Sequence, residues 1–331
     1  MTAALDEPSR RPRGGSDGGG VEGSFSAGFS HVSVLVDEVV AWALRVDPAH
    51  IADCTLGGGG HARALLRAFP RARLVGIDRD AAAVAAATRT LGSLASRATV
   101  VQARFSEVGR LLPPGGTDFL LADLGVSSHQ LDTPTRGFSF RAAGPLDMRM
   151  NADSGVPVAE ALRGVREDEL TRIIRTYGEE RHARRVARAI VAEPPATTQA
   201  LAQLVHRVVP KSKDGLDPAT RTFQALRIWI NGEMDELAAL LGTIPDLLAP
   251  EGIAVLISFH SLEDRVVKQT FRQQARGCVC PPALPVCGCG QVPRVRLLSP
   301  KAVRPQPDEV AGNSRARSAR LRVVQRLGTA R

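Results

Sequence analysis

Three carboxylates punctuate the first part of the chain in the same way. Asp53, Asp78 and Asp123 each close a short run of aliphatic residues. The first is followed by Cys54-Thr55-Leu56-Gly57-Gly58-Gly59-Gly60-His61. Glycines at such a turn let the backbone take positive φ and come close to a ligand. Asp78 stands 25 residues beyond Asp53, where a carboxylate can accept hydrogen bonds from both ribose hydroxyls of a nucleoside. Together these features predict an adenosine-type cofactor lying across strand ends. They leave its identity open. Gly57, Gly59 and Ala62 also satisfy the dinucleotide pattern G-x-G-x-x-G/A, so a nicotinamide cofactor is the rival, and a plain turn is the blandest reading. Thr55 and His61 are not required by the dinucleotide pattern.

Past Asp123 the residues change character. The run Asp123-Leu124-Gly125-Val126-Ser127-Ser128-His129-Gln130-Leu131-Asp132 leads to Arg136-Gly137-Phe138-Ser139-Phe140-Arg141 and then to 144–150, which ends Asp147-Met148-Arg149-Met150. Arginines bind phosphates and phenylalanines stack on bases. Arg136, Arg141 and Arg149 are therefore candidate nucleic-acid contacts, with Phe138 as a stacking partner. Equally, Phe138 and Phe140 would serve to anchor the loop to a core. Arg181, Arg184, Arg185 and Arg188 fall on one face at helical spacing and could track phosphates; solvent-exposed pairing with Glu179 and Glu180 is the plainer account. Arg315, Arg317, Arg320 and Arg322 form a similar basic run.

Four of the five cysteines crowd into Cys278-x-Cys280 and Cys287-x-Cys289. They could hold zinc, although the spacing is tighter than the usual C-x2-C. A reduced loop without metal, or one that oxidises to disulfides, reads as well. No metal is expected in the chemistry itself. Cys54 reads as a small core residue.

The elements that must position these groups alternate. Strands are predicted over 50–53, 74–77, 99–102 and 118–122, and helices over 62–68 and 81–91. An earlier helix carries Val39, Trp42 and Ala43 on one face, with Asp37 and Glu38 near its start. This rhythm predicts a doubly wound, mostly parallel sheet. Between 145 and 229 only helical patterns follow, among them 179–193 and the Leu201, Leu204, Val205 and Val208 stripe. A strand returns at 253–258 after the turn Ala249-Pro250-Glu251-Gly252, and a last one is predicted over 320–325. A sheet that pauses for so long a helical stretch suggests an inserted domain. Residues 1–30, rich in Gly, Ser, Pro and Arg, read as a disordered tail.

At 331 residues and 44% hydrophobic, with only 4% aromatic, the chain can bury a large aliphatic core. Its net charge of +9 favours a polyanionic partner, though an arginine-rich composition also follows from a GC-rich genome. No apolar run is long enough to span a membrane, and the N-terminus lacks the apolar stretch of a signal peptide. A cytoplasmic location is expected, and self-association as a homodimer is left open.

These segments resemble the MraW family, also called RsmH: S-adenosylmethionine (SAM)-dependent methyltransferases of small-subunit (16S) ribosomal RNA. The resemblance runs through His31-Val32-Ser33-Val34-Leu35-Val36-Asp37-Glu38, Gly59-Gly60-His61 and Gly76-Ile77-Asp78-Arg79-Asp80. It continues through 123–132, 136–140, 144–150, Tyr177-Gly178-Glu179-Glu180-Arg181, 220–229 and Ser258-Phe259-His260-Ser261-Leu262-Glu263-Asp264-Arg265. It covers residues 31 to about 325, in the family's order. It implies a Rossmann-like α/β methyltransferase fold at 31–145 and 228–331, with an all-helical, substrate-recognising insertion at 146–227. It implies N4-methylation of a cytidine in the decoding region of the ribosome, with SAM as cofactor and the small ribosomal subunit as partner. Carried over by motif, Gly57, Gly59, Gly60 and His61 are cofactor-loop residues and Asp78 is the ribose ligand. Phe105 is an adenine-side contact, and Asp123 and Gln130 complete the pocket.

The exocyclic amine of cytosine is a poor nucleophile, because its lone pair is delocalised into the ring. An acceptor that holds one amine hydrogen would favour transfer. Asp123, or a backbone carbonyl of 124–127, is the candidate. Many amino-methyltransferases use Asp/Asn-Pro-Pro-aromatic here, whereas this chain has Asp123-Leu124-Gly125-Val126, so Asp123 could instead be wholly a cofactor or structural residue. His260, just past the late strand, is a second catalytic candidate, with a capping or core role as the alternative.

Overall fold

A computed structural model describes residues 33–211, 215–278, 280 and 288–328. The tail expected at 1–30 and Cys287 lie outside the described residues.

The chain opens with α1 (Val36–Ala43), β1 (His50–Asp53), α2 (Gly60–Ala68), β2 (Arg73–Asp78), α3 (Ala81–Leu91) and β3 (Ala98–Gln102). A short α4 (Val108–Leu111) leads to β4 (Thr117–Asp123) and α5 (Ser128–Asp132). Five helices follow without a strand element: α6 (Val158–Gly164), α7 (Glu167–Gly178), α8 (Ala183–Ala192), α9 (Thr198–Val208) and α10 (Ala219–Asn231). Then come α11 (Glu233–Leu247), β5 (Leu248–Ser258), α12 (Ser261–Gln274), β6 (Val295–Leu297), α13 (Pro307–Gly312) and β7 (Arg320–Arg326).

The seven strands form one sheet in the order β3-β2-β1-β4-β5-β7-β6. The first five positions are parallel, and β7 runs antiparallel between β5 and β6. The reason is written in the strands. Along β4 and β5, Phe119, Leu121, Ile253, Val255 and Ile257 point to one apolar layer with α1 and α2. Leu120, Ala122, Ala254 and Leu256 point to the other, with α11 and α12. A strand buried on both faces is aliphatic throughout, as a parallel sheet requires.

Helices α6–α10 pack around a third cluster that includes Leu146, Met148, Ile174, Val186, Leu201 and Leu226. The boundary expected at residue 228 falls inside α10. The helix expected over 179–193 begins only at Ala183. Glu179 takes φ 51 as the left-handed cap of α7, and Glu180 folds its carboxylate onto the His182 amide at 2.7 Å.

The turn expected at 249–252 is a bulge within β5. Thr117 pairs with Leu248 and Phe119 already pairs with Ile253, so the four intervening residues are extruded, with Glu251 at φ 64. The three-residue β6 was not expected; its apolar pattern is too short to read. Among the described residues no helix is long and apolar enough to cross a membrane.

Candidate active site

The carboxyl ends of β1, β2 and β4 open into a cavity of about 810 Å³. It lies where the strand order reverses about β1, the crevice in which open α/β sheets bind ligands. Gly57, Gly60, His61, Asp78, Phe105, Asp123 and Gln130 all line it. Gly59 does not: it caps α2 at φ 79, and a Cβ there would sit 3.1 Å from the Ala87 Cα. It is the glycine that lets α2 approach α3. At Gly60 a Cβ would meet the Ser33 hydroxyl at 2.1 Å.

The acids carry the electrostatics. Asp78 accepts from the Gly57 amide at 2.8 Å through Oδ2 and from the Asp80 amide at 2.9 Å through Oδ1. Burial nonetheless pushes its pKa up to about 6, against the pull of those two amides. Each oxygen keeps a lone pair for a ligand in the cavity. Asp53 is fully buried, and its pKa is pushed up to about 7, by burial first and by Asp78 in addition, against the Thr55 amide it accepts from. Asp123 is held well above the ordinary carboxylate value by burial, then by Asp53 and Glu263. Its Oδ1 is buried without a hydrogen-bond partner. The Asp123 amide donates to the Thr55 hydroxyl at 2.5 Å, which ties the glycine turn to the end of β4.

His61 stands across from Asp123. Its Nε2 lies 2.9 Å from the Val34 carbonyl. A carbonyl only accepts, so Nε2 carries a proton, and Nδ1 faces Asp123 Oδ2 at 3.8 Å.

Gln130 belongs to a buried node as well as to the wall. Its amide donates to Asp80 Oδ2 at 2.9 Å, and Arg136 reaches the same oxygen at 2.8 Å. Asp80 also caps α3 through the Ala82 amide.

The expected nucleic-acid contacts divide. Arg141 is exposed and lines the cavity mouth. Phe138 also lines the cavity, yet it is buried in the helical cluster, so both of its readings hold. Arg136 is instead an internal tie, spent on Asp80 and on the Arg149 and Met150 carbonyls. Arg149 is corrected likewise: its guanidinium is chelated by Asp147 and by the Gly155 carbonyl. Arg181 precedes α8, away from the cavity. Arg184 and Arg188 share Glu167 at 3.5 and 3.6 Å, and Arg185 donates to the Val208 carbonyl, so the supposed single face is split. Of the C-terminal run, Arg315 and Arg317 line the cavity. Arg320 and Arg322 are both consumed by Asp264.

His260 is not a cavity residue. It caps α12, its Nδ1 accepting from the Glu263 amide at 3.3 Å and its Nε2 lying 3.1 Å from Glu263 Oε1. Burial pushes the Glu263 carboxyl up, but His260 and Arg227 outweigh it and hold it below the ordinary value. Glu233, His260 and Glu263 lie close enough to share an ion, but Arg227 already grips Glu233 through two bonds of 2.9 and 2.8 Å.

Sequence reasoning missed the contribution of α10. Phe223 packs edge-on against Phe140 with ring centres 4.9 Å apart, and both rings line the cavity with Gln224 and Arg227. The segment 220–229 entered the sequence reading only through the family resemblance, with no site residue named in it.

A nucleoside-sized crevice at the strand ends of a parallel sheet with one antiparallel insertion defines an α/β enzyme of the methyltransferase class. The family described as "MraW methylase family" matches residues 28–327. A protein of Syntrophotalea carbinolica named ribosomal RNA small subunit methyltransferase H is 47% identical over 310 residues, covering 90% of this chain and 98% of that protein. A protein of the same name from Pelobacter propionicus is 46% identical over 312 residues, covering 91% and 100%. The chain belongs to the MraW methylase family. Its cofactor is S-adenosylmethionine, so the nicotinamide reading of the glycine turn falls. The cavity fits that cofactor: the Asp78 carboxylate faces it, and Asp123 Oδ1 is a buried acceptor still without a partner.

Proposed function

We propose that this chain methylates N4 of a cytidine in the decoding region of 16S ribosomal RNA, acting on the small ribosomal subunit. The sheet and the helices on its two faces are the methyltransferase domain, and α6–α10 are the helical domain that recognises substrate. The substrate class is supported by the names of the relatives. The observation that carries the reading is the two-sided cavity. One wall holds Asp78, Asp123 and the glycine turn; the other holds Phe140, Phe223 and Arg141.

SAM supplies a methyl group activated on a sulfonium. Asp78 binds the ribose hydroxyls, and Phe105 flanks the adenine. The aromatic wall receives a base that has left its stack, while Arg141 and Arg317 hold flanking phosphates. Asp123 accepts one hydrogen of the cytosine amine and so steers its lone pair toward the methyl group, the alignment that an in-line displacement demands.

The test is transfer of labelled methyl from SAM to small subunits that lack the modification, followed by nucleoside analysis. Label in N4-methylcytidine supports the proposal. Label in another nucleoside, or none despite SAM binding, overturns it.

A further inference from the structure

The loop between α12 and β6 carries a second chemistry, remote from the cavity. Cys278, Cys280 and Cys289 bring their three sulfurs within 4.8 Å of one another. Cys278 and Cys289 Sγ are 3.7 Å apart. Thiolates at about 2.3 Å from a tetrahedral zinc stand about 3.8 Å from each other. The pair is thus spaced as co-ligands of one ion.

The Cys280 amide donates to Cys278 Sγ at 3.4 Å. The loop also needs a cross-link. Its base is closed by the Arg294 amide on the Gln274 carbonyl at 2.8 Å, yet no described residue between 276 and 294 is buried. Apolar packing of the described residues therefore does not hold this segment together, which is where structural zinc is used.

We propose that Cys278, Cys280 and Cys289 form a structural zinc site that staples the loop joining α12 to β6. The three thiols release their protons to solvent as they replace water on the ion. A fourth position remains for water or a further ligand. None of the three cysteines lines the cavity, so the site stabilises and takes no part in methyl transfer.

The first measurement is the metal content of full-length protein purified under reducing conditions and dialysed against zinc-free buffer. About one zinc per chain is expected. Cys278→Ser and Cys289→Ser should each lose it, while Cys54→Ala, which changes a buried cysteine elsewhere, should retain it. Because a variant can fail to fold, the wild-type protein is also reloaded with cobalt(II). Intense thiolate-to-cobalt absorption, displaced by zinc, is expected. A chain that holds no zinc, takes up none when it is added, and shows no such absorption overturns the proposal. So does a zinc content unchanged in the serine variants. These readouts are independent of methyl transfer, so neither proposal depends on the other.

Discussion

His61 Nδ1 faces Asp123 Oδ2 at 3.8 Å across the mouth of the glycine turn, with the ring fixed from behind by the Val34 carbonyl. The nitrogen turned toward the carboxyl is therefore the unprotonated one in the neutral ring. Burial, then Asp53 and Glu263, push the pKa of that acid upward. If the Asp123 carboxylate accepts the amine hydrogen, its ionised fraction limits the rate. Activity then rises with pH through that elevated pKa. Asp123→Asn should cost about 10²- to 10⁴-fold in kcat, remove the acid limb of the profile and leave SAM affinity within a few-fold. Single-turnover rates at several pH values measure this. A variant that keeps the same pH limb assigns Asp123 to cofactor binding alone.

Asp78 makes a different demand on pH. Its pKa of about 6 lies above the ordinary 3.8, so the carboxylate proposed to hold the ribose is complete near pH 8 and is lost as pH falls through 6. SAM affinity should be flat above pH 7 and weaken below 6 by at most about tenfold per unit. Asp78→Asn should weaken binding roughly 10- to 100-fold, the worth of a charge-assisted hydrogen bond, and remove the pH dependence. Calorimetric titration at pH 5.5 and 8 decides; equal affinities in the unaltered protein would refute the assignment.

Asp53 lies outside the cavity lining and bears on stability. Its folded-state pKa, about 7, exceeds the ordinary 3.8. The folded chain therefore binds more protons between about pH 4 and 7, and stability falls as pH rises through that window. Above pH 7 the full cost of a buried, uncompensated carboxylate is present, at most about 4 kcal/mol. Asp53→Asn keeps an acceptor for the Thr55 amide and should raise stability at pH 8 by about 1–3 kcal/mol, with a much smaller gain at pH 5. Thermal melts at the two pH values test this, and an equal change at both would show that ionisation is not the cause.

The ends of β1, β2 and β4 were legible because these strands are short, largely aliphatic and mostly buried, and each stops at an acid. Asp53, Asp78 and Asp123 are where the pattern placed them. The helical stretch after β4 was legible from its stripes. What failed was the assignment of single arginines. Nothing near Arg136 or Arg149 in the sequence reveals that Asp80 and Asp147 consume their guanidinium groups, since Asp80 reaches Arg136 only through the crossover of β4. His260 read equally as base or cap, and only the geometry of α12 separates the two. Phe223 joins the cavity from a helix far along the chain, by packing on Phe140, which no local period encodes.

The glycine turn separates two reasons for glycine. Gly57 has φ 51, and a Cβ there would touch nothing closer than 3.9 Å. Gly57→Ala should cost only the left-handed penalty, about 1–2 kcal/mol. Gly59 combines φ 79 with a Cβ position 3.1 Å from the Ala87 backbone. Gly59→Ala should cost about 3 kcal/mol or more, because overpacking of α2 on α3 adds to the same strain. Urea unfolding of both variants checks the order. Equal losses would mean that close approach to Ala87 contributes nothing.

Arg136 and Arg141 are five residues apart and should fail in opposite ways. Arg136 lies against buried Asp80 at 2.8 Å. Arg136→Ala strands that carboxylate with only the Gln130 amide and the Ala82 backbone amide and should cost about 3 kcal/mol of stability. RNA affinity of the folded fraction should be unchanged. Arg141 is exposed at the cavity mouth. Arg141→Ala should leave stability within about 0.5 kcal/mol, weaken RNA binding, and lower the slope of log affinity against log salt by about one. Binding isotherms at several salt concentrations, beside denaturation curves for the same proteins, measure both effects. If Arg141→Ala leaves the salt slope untouched, phosphate is not its ligand, and the basic rim must begin at Arg317 instead.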